Sequence, residues 1–97
     1  MEINKTAIAG TLESSDVQIM ISKGTSGIQF EVESDVEKQF GDQIRQTVTD
    51  VLRQYDVKNA DVKIVDKGAL DMVIKARTIA AVQRALDIVD QPKWEVL

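Results

Sequence analysis

The stretch Val17-Gln18-Ile19-Met20-Ile21-Ser22-Lys23-Gly24-Thr25-Ser26-Gly27-Ile28-Gln29-Phe30-Glu31-Val32-Glu33 decides how the chain is read. Before the Gly24–Gly27 segment, Val17, Ile19 and Ile21 alternate with Gln18, Met20 and Ser22; after it, Ile28, Phe30 and Val32 alternate with Gln29, Glu31 and Glu33. Alternation at period two places apolar side chains on one face of an extended strand and leaves the other face to water. Two such runs around a glycine-bearing turn predict an antiparallel hairpin with one buried face. Upstream, Thr6 to Leu12 is compatible with a strand, although its alanines and Gly10 weaken the pattern. Glu13-Ser14-Ser15-Asp16 reads as the turn between that strand and the hairpin.

Downstream, Ser34-Asp35-Val36-Glu37 has the spacing of a capping box, and its acids suit the positive end of a helix dipole. Val36, Phe40, Ile44, Val48, Val51, Leu52 and Tyr55 then recur at intervals of three and four, the stripe of an amphipathic helix. Gly41 lies inside that helix at a cost of about 1 kcal/mol relative to alanine, and close approach to a sheet is its expected use. Val62 and Ile64 alternate within Asn59 to Asp66, Lys67-Gly68 turns the chain, and Leu70, Met72 and Ile74 alternate again, which predicts a second hairpin. A second helix is expected from about Arg77 to Val89, with Ile79, Val82, Leu86 and Val89 on one face and an end at Asp90-Gln91-Pro92. The predicted order is β-β-β-α-β-β-α. The fold class is an α+β two-layer sandwich: a mainly antiparallel sheet of about five strands with two helices on one face.

A chain of 97 residues and 10.8 kDa, with no linker or low-complexity tract, supports one domain over residues 1–97. It contains no histidine and no cysteine, so it lacks the usual neutral-pH general base, the thiol nucleophile, the commonest zinc ligands and any disulfide. Twelve Lys+Arg against sixteen Asp+Glu leave a net charge of −4, the wrong sign for a nucleic-acid backbone partner. No apolar run approaches the ~18 residues of a membrane span. The N-terminus lacks the basic-then-apolar order of a signal peptide. A soluble, acidic, cytoplasmic domain is expected, with no membrane partner and poorly equipped to be an enzyme.

Asp56, Asp61, Asp66 and Asp71 fall five apart, a period that matches neither helix nor strand, so they read as solvated loop and edge charges and not as a metal cluster. Asp35 and Glu37 are explained by capping. Gly24-Thr25-Ser26-Gly27 lacks the spacing and the Lys-Ser/Thr of a phosphate loop and reads as a turn. Phe30, Phe40 and Tyr55 sit on core stripes, and Trp94 is expected to pack the tail down. Four scattered aromatics make no stacking platform for single strands. Ser14 and Ser15 remain. Without histidine neither has a base to make it a hydrolytic nucleophile, but an exposed hydroxyl can be an attachment point that another enzyme modifies.

The string Ala9-Gly10-Thr11-Leu12-Glu13-Ser14-Ser15-Asp16-Val17 resembles the prosthetic-group segment of the citrate lyase acyl carrier protein family, the gamma subunit. Two further blocks match in the same order: Val36-Glu37-Lys38-Gln39-Phe40-Gly41-Asp42 with Ile44-Arg45, and Asp66-Lys67-Gly68-Ala69-Leu70-Asp71 leading to Lys75-Ala76-Arg77. The resemblance implies a covalent phosphoribosyl-dephospho-CoA group, joined by a phosphodiester at Ser14. Ser15 stands where family members often carry glycine, and it sets a second hydroxyl beside the first. The resemblance further implies a terminal thiol that holds acetyl and citryl groups. Its partners would be the alpha subunit (acyl transfer), the beta subunit (cleavage to oxaloacetate) and the prosthetic-group transferase that loads Ser14. The absence of the helical-bundle Asp-Ser-Leu motif argues against phosphopantetheine attached directly to the serine. Two other readings stay open: a carrier of a related complex, citramalate lyase or malonate decarboxylase, and an unmodified α+β interaction module that docks through a sheet edge or Trp94.

Overall fold

The computed structural model describes residues 2–34 and 37–87, with residues 37–40 as backbone alone. Strands β1 (Ala7–Gly10), β2 (Val17–Lys23) and β3 (Ile28–Ser34) are followed by helix α1 (Glu37–Gln54), strand β4 (Ala60–Asp66) and helix α2 (Asp71–Leu86). The α+β class and the two helices agree with the sequence reading. The sheet is mixed and has four strands in the order β1-β2-β4-β3. Pairs β1–β2 and β2–β4 are antiparallel, and β3–β4 is parallel.

Register lines the apolar alternation of every strand onto one face. Ala7, Ile21, Val62 and Phe30 form one row across the sheet, and Ala9, Ile19, Ile64 and Val32 form the next. Helix α2 covers β1 and β2, while α1 lies on β3 and against α2. Ile44, Val48, Val51, Leu52 and Tyr55 of the α1 stripe join the same buried cluster, together with Ile74, Ile79, Val82 and Leu86 of α2. Gly41 is buried, and the Tyr55 hydroxyl accepts from Gln83 Nε2 at 3.1 Å. The N-terminal segment closes the far end of α2: Ile3 is buried, and the N–H groups of Asn4 and Lys5 donate to Ala85 O at 3.0 and 3.3 Å.

Both predicted hairpins are corrected. Strands β2 and β3 do not pair, because β4 is inserted between them, so Gly24–Gly27 spans a strand's width instead of making a tight turn. Ala60 N–H donates to Gly27 O at 3.0 Å, and Gly27 N–H donates to Asn59 Oδ1 at 2.8 Å, which pins the loop over the start of β4. The approach is close enough that a Cβ on Gly24 would lie 2.7 Å from Ala60 N. In the second hairpin, Leu70-Asp71-Met72-Val73-Ile74 is not a strand but the start of α2, six residues earlier than Arg77. Ile74 is buried through helical phase, in step with Thr78, Ala81, Val82 and Ala85, while Leu70 and Met72 point to water. An apolar run this short fits either period, and tertiary packing chose the helix. Arg77 and Thr78 therefore lie inside α2, and the Thr78 hydroxyl donates to Ile74 O at 2.7 Å. Of the capping box, Ser34 is described as the last residue of β3, while Asp35, Val36 and the side chain of Glu37, with the side chain of Phe40 and Val89, Asp90-Gln91-Pro92 and Trp94, lie outside the described residues or side chains.

Candidate functional site

The connection between β1 and β2 is built by backbone constraint. Gly10 ends β1 at φ +90°, and a Cβ there would lie 1.8 Å from Val17 O, so only glycine fits. The Thr11 hydroxyl then folds the next residues: it accepts from Glu13 N–H at 3.2 Å and donates to Asp16 Oδ2 at 2.6 Å. A β-turn from Glu13 to Asp16 closes through Asp16 N–H to Glu13 O at 3.1 Å. Ser15, at its third position, has φ +67°, the left-handed conformation that a type II turn demands and that glycine adopts most readily.

The turn is locked to the β4–α2 loop. Ser15 N–H donates to Lys67 O at 2.7 Å, and Lys67 N–H donates to Asp16 O at 2.9 Å. Two residues of one strand extension thus oppose one of the other, a β-bulge whose first residue is left-handed. Arg77 grips Asp16 from α2 with a two-point ion pair, Nε to Oδ1 at 3.1 Å and a terminal nitrogen to Oδ2 at 2.9 Å. Val17 N–H adds a bond to Oδ1 at 2.8 Å. The Thr11 hydroxyl, the Val17 N–H and Arg77 together lower the Asp16 carboxyl from 3.8 to about 2.

Asp66 corrects the sequence reading of the five-residue aspartate series. It is 2% exposed; its carboxylate accepts from the Ser34 hydroxyl at 2.9 Å and from Gly68 and Ala69 N–H at 3.2 and 3.0 Å. It is a buried anchor that shapes the loop against which the Ser14 turn rests. Asp56, Asp61 and Asp71 are exposed as expected, and the described residues hold no cluster able to bind a metal.

Ser14 sits exposed at the corner of this clamped turn, and its hydroxyl makes no hydrogen bond to the described residues. Ser15 is also exposed, but its backbone is committed to the bulge. Two of the family-like blocks meet here, the first and the third, through Lys67 and Arg77, and Gln43, which interrupts the second block, donates Nε2 to Asp71 Oδ2 of the third at 2.6 Å. Sequence reasoning named Ser14 and Ser15 but missed Gly10, Asp16, Asp66 and Arg77 as the frame around them. Gly10 had a legible signal, a glycine interrupting a strand pattern. The Asp16–Arg77 pair had none, because the partners are 61 positions apart.

An α+β domain that presents an exposed serine on a turn fixed by its neighbours has the form of a carrier domain. The comparisons agree. An acyl carrier family model, described as "Malonate decarboxylase delta subunit (MdcD)", matches residues 4–85. The chain is 70% identical to the citrate lyase acyl carrier protein of Leuconostoc mesenteroides subsp. cremoris and 71% identical to that of Weissella paramesenteroides, over 97 residues and 100% of each chain. Its fold matches a chain of the Pseudomonas malonate decarboxylase hetero-tetramer in complex with malonate, with a TM-score of 0.71 and 18% identity over 88% of both chains. The chain belongs to the citrate lyase acyl carrier protein family.

Proposed function

We propose that this chain works in the cytoplasm as the acyl carrier subunit of a citrate lyase complex, with phosphoribosyl-dephospho-CoA joined to the Ser14 oxygen by a phosphodiester. The observation that carries the reading is the exposed Ser14 hydroxyl, bonded to none of the described residues, at the corner of a turn clamped by Lys67 and Arg77. That corner fits the group sterically, since nothing in the described fold covers it. When bound, the group supplies a terminal thiol that holds the acetyl and citryl groups presented to the transferase (alpha) and lyase (beta) subunits. The chain's own residues hold still. Gly10, the Ser15–Lys67 bulge and the Asp16–Arg77 pair keep the attachment atom in one place, so the arm's reach is measured from a fixed origin. Tethering raises the effective concentration of the acyl group at each partner site.

Full-length identity of 70% to citrate lyase carriers, against 18% to the malonate decarboxylase chain, favours citrate as the substrate of the complex. Intact mass of protein from cells making the complex, with peptide mapping of residues 9–23, tests the reading. The expected result is the mass of the CoA-derived group on Ser14, absent from Ser14→Ala, whose fold and melting temperature stay unchanged. Adduct on Ser15 would move the site. An unmodified chain from such cells would overturn the proposal and leave the interaction-module reading.

A further inference from the structure

Among the described residues, four large apolar side chains are exposed: Ile8 and Leu12 about half, Leu70 at 76% and Met72 at 84%. Isolated exposed apolar residues need no explanation, but their placement here does. Leu12 lies two positions before Ser14. Leu70 and Met72 follow Lys67, whose backbone is bonded on both sides to Ser15 and Asp16. Three of the four therefore belong to the two segments that the bulge joins, and none of the three supports the core. Leu70 and Met72 also border two grooves along the α1–α2 seam, of about 370 and 360 Å³, with Asp71 lining both.

The charges around these residues are acidic. Glu13, Asp42 and Asp71 are exposed. Among the described residues, Arg77 is paired with Asp16 and Arg45 with Asp42, which leaves Lys67 and Lys75, both half-buried, as the nearby cations. On the reading that Ser14 is loaded by a transferase, that enzyme must bring its reactive phosphorus within bonding distance of Ser14 Oγ. Leu12, Leu70 and the adjoining carboxylates then fall within its footprint. In the transfer, a P–O bond forms to Oγ, the P–O bond to the donor's phosphate leaving group breaks, and the hydroxyl proton passes to a base on the transferase. A site that holds such an anionic donor is rimmed by cations, which complement Glu13 and Asp71.

We propose that Leu12, Leu70 and Met72 form the apolar docking surface on which the prosthetic-group transferase seats, with Glu13 and Asp71 meeting the cationic rim of its donor site. Apolar anchors supply the affinity and the acids the orientation. A second copy of the chain fits less well, because like carboxylates would face each other on a chain of net charge −4.

The test uses the full chain and the purified transferase with its phosphoanhydride donor, and follows adduct formation by intact mass. Leu70→Ser/Met72→Ser is expected to raise the KM for the carrier by about tenfold or more with kcat unchanged and the melting temperature not lowered, since serine is a better N-cap than leucine at the start of α2. Leu12→Ser is expected to act in the same direction, and Asp71→Lys to slow loading most at low salt. Calorimetric binding to the transferase without donor should weaken in parallel. Wild-type labelling with unchanged KM and affinity in the Leu12/Leu70/Met72 triple serine variant would overturn the docking surface and leave the carrier reading standing. Failure of the wild type to be labelled at all would overturn both. Sedimentation of the wild type as a dimer, and of the triple variant as a monomer, would assign the patch to self-association and overturn the proposal.

Discussion

Ser15 carries the strain of the site. A non-glycine residue at φ +67° pays for a left-handed backbone, and the bulge to Lys67 holds it there. Ser15→Gly should therefore stabilise the chain by on the order of 0.5–1 kcal/mol, read as a higher denaturant midpoint with an unchanged m value. Adduct formation at Ser14 should persist in that variant. Asp16 sets the site's response to acid. Its carboxyl is lowered from 3.8 to about 2 in the folded chain, so the clamp's contribution is present in full above the ordinary carboxylate range and is lost as pH falls toward about 2. Asp16→Asn mimics the protonated state. The stability gap between wild type and Asp16→Asn should be constant above pH about 4 and shrink toward zero near pH 2, as measured by denaturant titrations across that range. A gap that persisted at the acid end would locate the effect elsewhere.

At the scale of elements, the decisive event is the insertion of β4 between β2 and β3. Both runs were legible as strands with one buried face, because period-two alternation reports burial directly. Their pairing was not legible, since alternation carries no information about the neighbour. The loop between them shows what the insertion requires. Gly24→Ala puts a Cβ 2.7–2.9 Å from three backbone atoms of Ala60, which cannot yield as a flexible side chain would. The substitution should destabilise the fold by about 1–3 kcal/mol and raise hydrogen exchange first at Gly27 and Ala60, whose N–H groups pin that loop. Helix α2 gives the complementary case. Its stripe from Ile74 to Leu86 is helical, but the Leu70-Met72-Ile74 spacing also fits a strand, and the exposure of Leu70 and Met72 in the structure resolves the ambiguity.

At the scale of the molecule, one apolar layer between the sheet and the two helices supplies the stability on which a fixed Ser14 depends. Ile64 sits near its centre, fully buried on the central strand β4 and flanked by Ile19 and Val32. Ile64→Ala should cost about 2–5 kcal/mol, a large share of the ~5–15 kcal/mol typical of a whole domain, and lower the melting temperature accordingly. Loading at Ser14 should then fall with the folded fraction and not with local geometry, which a thermal melt and an intact-mass assay on one preparation would show.

The amino-acid order by itself determined the apolar faces of β2 and β3 and of Val62 and Ile64 in β4, the α1 stripe from Ile44 to Tyr55, the two-layer α+β class and the turn that holds Ser14 and Ser15, because burial periodicity and turn chemistry are local properties. The family resemblance, too, lay in short contiguous blocks. The tertiary structure alone decided the strand order, the true start of α2, the burial of Asp66 and the clamp of Asp16 by Arg77. Each of these depends on partners tens of residues apart, selected by which surfaces pack and not by any spacing along the chain.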